Sequence, residues 1–539
     1  MRFDGVTERE RKKLDIVVRI LAFRCSRVYK MKFFHRMHDP GLHLIDWAII
    51  AVYGLLVLGI GYYYSRKQSS TDEYFTGGGA MSPFLIGVSM FVTLLSTISY
   101  LATPGEMIKN GPGILAGLLG IPFSFLIVGY WLLPALMQHR VTSAYELLEA
   151  KLGLGVRLLG VGMFLTLRLV WMMLLIYLTS MALVTILGVD EGQVPLIAAV
   201  CGVVSIIYTS MGGMRAVVVT DLLQFALLFG GLLLTIGIIT VQTGGFEWVP
   251  TKWEPTWDDQ PFFSLNPEVR VTLFGAIISS MLAVVCGAGG DQTMVQRFMS
   301  TKDAAAARRS FLVKSIASAV VISALGLLGF ALLGYFKRFP ELLPEGLDLG
   351  RDADRVFPIF ISQFLPTGAS GLLVAAIFAA AMSSMDSGLN SMTAVIQTDI
   401  IDRFRKKPWT EASHLRFTQI LALVIGIIVV AGSSLMGYVP GNFFEVTNKT
   451  VNLFVGPLFV LIFLALFVPY ATGPGAIMGA ICGIATAVTV GYWDLLTGRQ
   501  GLSFQWIGFA SVAVNIAVSC IVSWFDTRLK RAAVELEGE

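Results

Sequence analysis

The fold class this sequence predicts is an all-α integral membrane protein of about thirteen transmembrane helices, and three observations predict it. Of its 539 residues 55% are hydrophobic and 14% charged, and the mean hydropathy of +0.73 lies far above that of a water-soluble domain. Uninterrupted apolar runs of roughly 20 residues, the length that crosses a bilayer as a helix, recur down the chain in place of the alternating or amphipathic patterns of soluble cores. Between the runs, Lys and Arg gather on every second loop. Lipid is therefore the main solvent for most side chains, and a multi-pass protein of the cell membrane is expected.

The runs fall at Leu44 to Tyr64, Ser82 to Leu101, Pro112 to Met137, Leu158 to Leu187, Val194 to Ser210 and Ala216 to Thr240. Seven more follow at Val271 to Gln292, Leu312 to Phe336, Ala369 to Ser391, Phe417 to Met436, Val451 to Val468, Ala476 to Tyr492 and Phe504 to Trp524. The base-rich loops, with Arg66, Lys67, Arg140, Arg215, Arg297, Arg308, Arg403, Lys406 and Arg531 among them, are assigned to the cytoplasm. The opposite loops carry acids and tryptophan, as in Phe246 to Pro261. The helix count then puts the N-terminus outside and the C-terminus inside.

Residues 1–40 form a basic extension that conflicts with an outside N-terminus, since "LDIVVRILAFRCSRVYKMKFF" would stay cytoplasmic or lie on anionic lipid. A start at Met31 or Met37 removes most of the conflict; a surface helix or an inverted topology are the alternatives. No apolar h-region with a cleavage site follows the bases. Residues 41–525 read as one polytopic membrane domain and 526–539 as a short cytoplasmic tail, so any chemistry sits among the helices. The cysteines, Cys25, Cys201, Cys286, Cys482 and Cys520, are scattered singly and fit neither a disulfide framework nor a zinc site. A net charge of +4 gives no reason to expect a nucleic-acid partner.

Charged groups inside apolar spans are costly, which makes each a candidate. They are Asp221 in "VVVTDLLQFALLF", Asp386 in "AAAMSSMDSGLNS", Asp291 in "CGAGGDQTMVQRF", Lys314 in "SFLVKSIAS" and Arg168 in "LTLRLVWMM". Arg168 reads first as a snorkelling or internally paired arginine, and Asp291 as the partner of nearby Arg297 at a helix end. Ala380, Ser383, Ser384 and Ser387 recur at spacings of three and four and share one helical face. Hard cations such as sodium take carbonyl, hydroxyl and carboxylate oxygens, and Asp386 adds a charge beside Ser383 and Ser387. Close helix packing would explain the small residues there but not the aspartate.

Two spans look interrupted, at "VTLLSTIS" (Val92 to Ser99) and at "GAGG" (Gly287 to Gly290). They lie five spans apart. Unwound backbone at membrane depth is tolerated where its free carbonyls line a site, and such a pair is what an inverted-repeat transporter shows, with solute and ions held at the midplane.

Four collinear stretches, "STDEYFTGGGAMSPFLIGVSMFVTLLSTISYLATPGE", "TSMGGMRAVVVTDLLQ", "GGDQTMVQRFMSTKDAAAARRS" and "AAIFAAAMSSMDSGLNS", resemble the sodium/solute symporter family. The likeness, to sodium/glucose cotransporter-like proteins, covers about Leu44 to Tyr470. It implies two inverted five-helix repeats, spans two to six against seven to eleven, and sodium-coupled symport of a small solute by alternating access. Sodium is the coupling ion and no other cofactor is implied. Carried over by position, the main sodium site takes backbone oxygens of Val92, Leu95 and Ala380 and hydroxyls of Ser383 and Ser384. A second cation site takes Asp221 with Ser383, Asp386 and Ser387. Sugar-carrying members have a small uncharged residue in place of Asp386, so here the ion is held more tightly or a proton is shared between the two aspartates.

Ser99 and Leu94 stand where sugar carriers place amides, and Gly287 and Ala288 replace their aromatic inner gate. The segments "LATPGEMI" and "NLFVGPLF" are more similar to the branch moving monocarboxylates, vitamins or inorganic anions. The implied solute is a small anion, a carboxylate above all, contacted by Ser99, Asp291, Lys314 and Lys449; sugar, sialic acid or amino-acid symport driven by sodium or protons is the alternative. A membrane enzyme would need a compact nucleophile, acid/base or metal cluster, which five scattered histidines do not supply. A channel would show a symmetric pore motif and a sensor a soluble output domain, and neither is apparent.

Overall fold

The computed structural model describes residues 41–68, 70–139, 141–407, 409–438 and 443–537, with backbone alone at 438, 443–450, 533 and 536–537. The basic N-terminal extension lies outside them. The described residues form helices and no strand. Ten helices are long and apolar enough to cross a membrane, and a bent pair makes an eleventh.

Helix α1 (Leu44–Ser65) begins with Asp46, whose carboxylate accepts the amides of His43 at 2.9 Å, Gly368 at 2.7 Å and Gly371 at 2.9 Å. The last two are orphan donors at the start of a distant helix, so a buried carboxylate in the first span caps another element. The bent pair is α2 (Pro83–Leu94) and α3 (Thr97–Lys109), which meet at 65°. No glycine makes this break. Leu95 leaves the helical region at ψ 86° and Ser96 starts a new helix by accepting the amide of Ser99 at 3.3 Å. After an irregular span over Pro112–Leu136 comes α4 (Leu154–Leu187).

The fifth and sixth expected spans are one 50-residue helix, α5 (Val194–Thr243), broken inside at Gly213 with φ 57° and ψ −164°. Glycine there replaces a loop: a Cβ would come within 2.8 Å of the Tyr74 carbonyl, and positive φ is cheap only without a side chain. Helix α6 (Leu273–Gly290) likewise corrects the expected break, since Gly287 to Gly290 remain helical and the chain turns at Asp291, φ −92° and ψ 117°. Asp291 caps the next helix, α7 (Gln292–Met299), through the Thr293 amide at 2.9 Å. Gly289 and Gly290 serve contact instead: a Cβ on Gly290 would lie 2.6 Å from the Phe459 nitrogen.

Helix α8 (Ala304–Arg338) packs against α2 and α3. Helix α9 (Ala369–Val395) is the central element, buried at every residue from 379 to 395. Helix α10 (Phe443–Phe467) carries the expected eleventh span, of which Val451–Phe467 is the apolar part with described side chains. The C-terminal pair, α11 (Gly473–Gly491) and α12 (Gln505–Glu537), is the most extensively packed in the protein. Gly475, Gly479 and Gly483 face Ser523, Ser519 and Asn515 one helical turn apart, the small-residue packing of membrane helices. A Cβ on Gly479 would sit 2.7 Å from the Asn515 carbonyl, which cannot move aside. Gly479→Val is therefore expected to cost about 1–3 kcal/mol and lower the detergent melting temperature, while Gly54→Val, with nothing within 4 Å, should not. Equal melting of the two variants would refute this packing account.

One end of the bundle is tied together by polar contacts. Gln292 takes the Ala144 amide at 2.8 Å and donates to the Thr142 carbonyl at 2.6 Å, while Gln296 donates to the Phe75 carbonyl at 2.8 Å. Arg157 joins Asp399 at 2.7 Å and Glu149 at 2.6 Å, and Arg403 joins Glu149 at 2.6 Å. Hydrogen bonds from Arg403 and then Arg157 hold the Glu149 carboxyl down at about 2. Asp399 and Arg157 escaped the sequence reading because both sit at span ends, where charge is ordinary.

Candidate functional site

The bend between α2 and α3 faces the middle of α9, where their oxygens meet. Ser383 Oγ lies 3.2 Å from the Val92 carbonyl and 3.0 Å from that of Ala380, and Ser384 Oγ lies 2.9 Å from the Thr93 carbonyl. The hydroxyls satisfy the Val92 and Thr93 carbonyls, which the bend has released from the helical ladder. Val92, Ala380 and Ser383 are fully buried and Leu95 and Ser384 nearly so. Four of the five residues expected at the main sodium site thus converge on one point of the fold, with Leu95 at the bend beside them. Neutral, convergent oxygens are the donor set of a hard monovalent cation.

One turn deeper lie Asp221 from α5 and Asp386 and Ser387 from α9, all buried. Asp386 accepts the Tyr208 hydroxyl and, at 3.3 Å, that of Ser387, whose oxygen is also 2.8 Å from Thr93 Oγ1. Asp221 Oδ2 accepts the Ser89 hydroxyl, whereas its Oδ1 has no hydrogen-bond donor among the described residues. Arg297 from α7 enters the same cluster. Its guanidinium bonds Ser387 Oγ, Ser89 Oγ at 2.8 Å and the Thr293 carbonyl at 3.1 Å, and stands 3.4 Å from Asp221 Oδ2. The expected pairing of Arg297 with Asp291 is therefore overturned. Six residues along a helix turn a side chain well away from the first, and Asp291 instead pairs with Arg168 of α4, which also donates to Thr293 Oγ1 at 2.9 Å.

Beside these clusters is a cavity of about 250 Å³ lined by Leu94, Arg168, Trp171, Asp291, Lys314 and Val455, among others. A second cavity, of about 340 Å³, shares Leu94 and Lys314 with it and reaches Ser99 and Glu106. Lys314 makes no ion pair or hydrogen bond with a described residue; its ammonium stands 5.5 Å from the Phe311 ring centroid. Arg168 Nε is buried without an acceptor among the described residues. The cavity's charged groups leave one positive charge in excess. Ser99, Asp291 and Lys314 thus line these two neighbouring cavities, while the side chain of Lys449 lies outside the described residues. Arg297, Ser89 and Tyr208 were missed as site residues; Arg297 sits where a cytoplasmic-loop base is ordinary, and the other two carry no charge.

A helical membrane chain whose bent helix crosses a buried oxygen cluster beside a charged cavity is built as a solute transporter. A model of the sodium:solute symporter family matches residues 74–483. A sodium/sialic acid symporter of Proteus mirabilis (strain HI4320) is 30% identical over 472 residues, 85% of this chain and 91% of its own. Sodium-coupled monocarboxylate transporter 1 of Homo sapiens is 26% identical over 461 residues, 83% of this chain and 73% of its own. Among solved structures, the substrate-bound outward-open state of a Na+-coupled sialic acid symporter, which reveals a novel Na+-site, superposes with a TM-score of 0.76 at 27% identity, covering 90% of this chain and 98% of that one. The chain belongs to the sodium:solute symporter family.

Proposed function

We propose that this protein couples sodium to the uptake of a small carboxylate across the cell membrane, sodium at Val92, Leu95, Ala380, Ser383 and Ser384 and the carboxylate in the cavity beside Lys314. The observation that carries the solute class is the pair of cationic donors, Lys314 Nζ and Arg168 Nε, without a described acceptor in one cavity. A buried cation needs a counter-charge, and a solute carboxylate supplies it. The two relatives described above are named for a sialic acid and for monocarboxylates, which supports the same class. Ser99 and Asp291 flank the solute path and Lys449 is assigned to its outer end. Asp221, Asp386 and Ser387 form the second cation site.

In this reading the chain spans the membrane thirteen times. Splitting α5 at Gly213 and counting α10 as a span gives that number, with two inverted five-helix repeats whose first helices break at Leu95 and Asp291. The sealed end with Arg157, Asp399 and Arg403 faces the cytoplasm and residues 41–525 do the transport. Bound sodium draws α9 and the bend of α2 together, and the solute then closes the cavity before the inner seal opens.

Counterflow into proteoliposomes with a panel of labelled monocarboxylates, sialic acids, amino acids and sugars, with and without a sodium gradient, tests the proposal. A sodium-dependent carboxylate signal is expected. Uptake unchanged with choline in place of sodium would end the coupling claim, and a preferred neutral sugar would end the carboxylate claim. Lys314→Met is expected to weaken the carboxylate by roughly 1.5 to 3 kcal/mol, about ten- to a hundredfold in half-saturation, without altering the sodium requirement. An unchanged half-saturation would place the solute away from Lys314.

A further inference from the structure

We infer that the guanidinium of Arg297 is the resident cation of the second site and limits this protein to one exchangeable sodium, bound at Ser383 and Ser384. The inference rests on the sodium-coupled reading above and deepens it. Arg297 has 1% of its side chain exposed and Asp221 none, and the guanidinium already holds the oxygens a second sodium would take, Asp221 Oδ2 and Ser387 Oγ. An arginine stays charged at any physiological pH, so this cation does not leave by losing a proton. A sodium coordinated to the same two oxygens would sit against the guanidinium, and two like charges in contact in a buried setting repel strongly.

Charge balance points the same way. With both aspartates ionised, Asp221, Asp386 and Arg297 together carry one negative charge, and the main sodium site one turn away contains no carboxylate of its own. One sodium there neutralises the cluster. A second would leave an uncompensated buried positive charge, the arrangement that costs most in a low-dielectric interior. The solute cavity closes the count, because Arg168, Lys314 and Asp291 carry one positive charge, which a monocarboxylate cancels. The position of Arg297 adds a consequence for the cycle. It stands on α7, the element whose Gln292 and Gln296 hold the inner seal, and it bonds Ser387, whose hydroxyl meets that of Thr93, the residue whose backbone carbonyl accepts from Ser384. A change at the sodium site therefore reaches the seal through a resident charge rather than a second ion.

Binding of sodium-22 to the purified full-length protein, without solute, tests this by equilibrium dialysis. The wild type is expected to hold about one sodium per chain with a Hill coefficient near one. Arg297→Gln, which vacates Asp221 Oδ2 and leaves an extra negative charge, should hold about two, and adding Asp386→Asn should return the number to about one. Arg297→Lys, a cation of another shape, should stay at about one. Two sodium ions per wild-type chain, or one in Arg297→Gln, would overturn the inference while leaving sodium coupling in place. No sodium binding in the wild type would overturn both this inference and the sodium-coupled reading. The wild-type count decides the inference even where a substituted chain fails to fold.

Discussion

Alanine at both Ser383 and Ser384 is expected to raise the sodium concentration for half-maximal uptake by about a hundredfold, and either alone by about tenfold, near 1.4 kcal/mol per ligand. The reasoning is local. Each hydroxyl touches a carbonyl freed by the bend, that of Val92 at 3.2 Å for Ser383 and that of Thr93 at 2.9 Å for Ser384, and Ser383 also reaches the Ala380 carbonyl of its own helix at 3.0 Å, so each is preset within reach of an ion shared with those carbonyls. Removing one leaves the carbonyls and the neighbouring serine, a weakened site; removing both leaves backbone oxygens only. The serines are adjacent, so the two losses are expected to add only approximately. Leu95→Ala should be far milder, because its backbone oxygen survives the change. Uptake measured against sodium in proteoliposomes, with sodium-induced thermal stabilisation of the detergent-solubilised variants, gives two independent readings. Should Leu95→Ala damage sodium dependence more than Ser384→Ala in both, the ion lies elsewhere.

How much of this was legible beforehand depends on whether a feature is local. Apolar runs mark helices because every peptide group in lipid must be satisfied within its own segment, and each run falls on a helix, although α8 begins well before Leu312 and α12 runs well past Trp524. The serine face of α9 was legible because helical periodicity alone aligns Ser383, Ser384 and Ser387. What failed was pairing over distance. Arg168 and Asp291 are 123 residues apart, and nothing in either segment names the other, whereas Arg297 is a near neighbour of Asp291 and was wrongly assigned to it. Glycine misled in one place only. Gly213 breaks α5 between the fifth and sixth expected spans, as the interruption of the apolar run there indicated, whereas Gly287 to Gly290 suggested a break where close approach of Gly289 and Gly290 to Phe459 was the reason. Asp46 went unnoticed because an acid at a span end looks solvated, though its carboxylate caps the start of α9.

Replacing Arg168 by methionine is expected to destabilise the protein by about 3–5 kcal/mol, the usual result of stripping one partner from a buried ion pair. Arg168 and Asp291 have 7% and 6% of their side chains exposed, so neither meets enough water to be solvated alone. Asp291 would keep its contacts to the Thr293 amide and hydroxyl, at 2.9 and 2.7 Å, but these leave its charge uncompensated beside the solute cavity. The same carboxylate ends α6 and starts α7, so the damage should spread to the seal that Gln292 and Gln296 hold. Asp291→Asn keeps the helix cap and removes the charge. Combined with Arg168→Met, it should recover more than half of the lost stability, since the pair is then absent rather than broken. Thermal unfolding in detergent of the two single variants and the double variant gives the coupling energy directly. Additive losses in that cycle would mean that Arg168 is held by packing and not by Asp291, and that its charge is free for the solute alone.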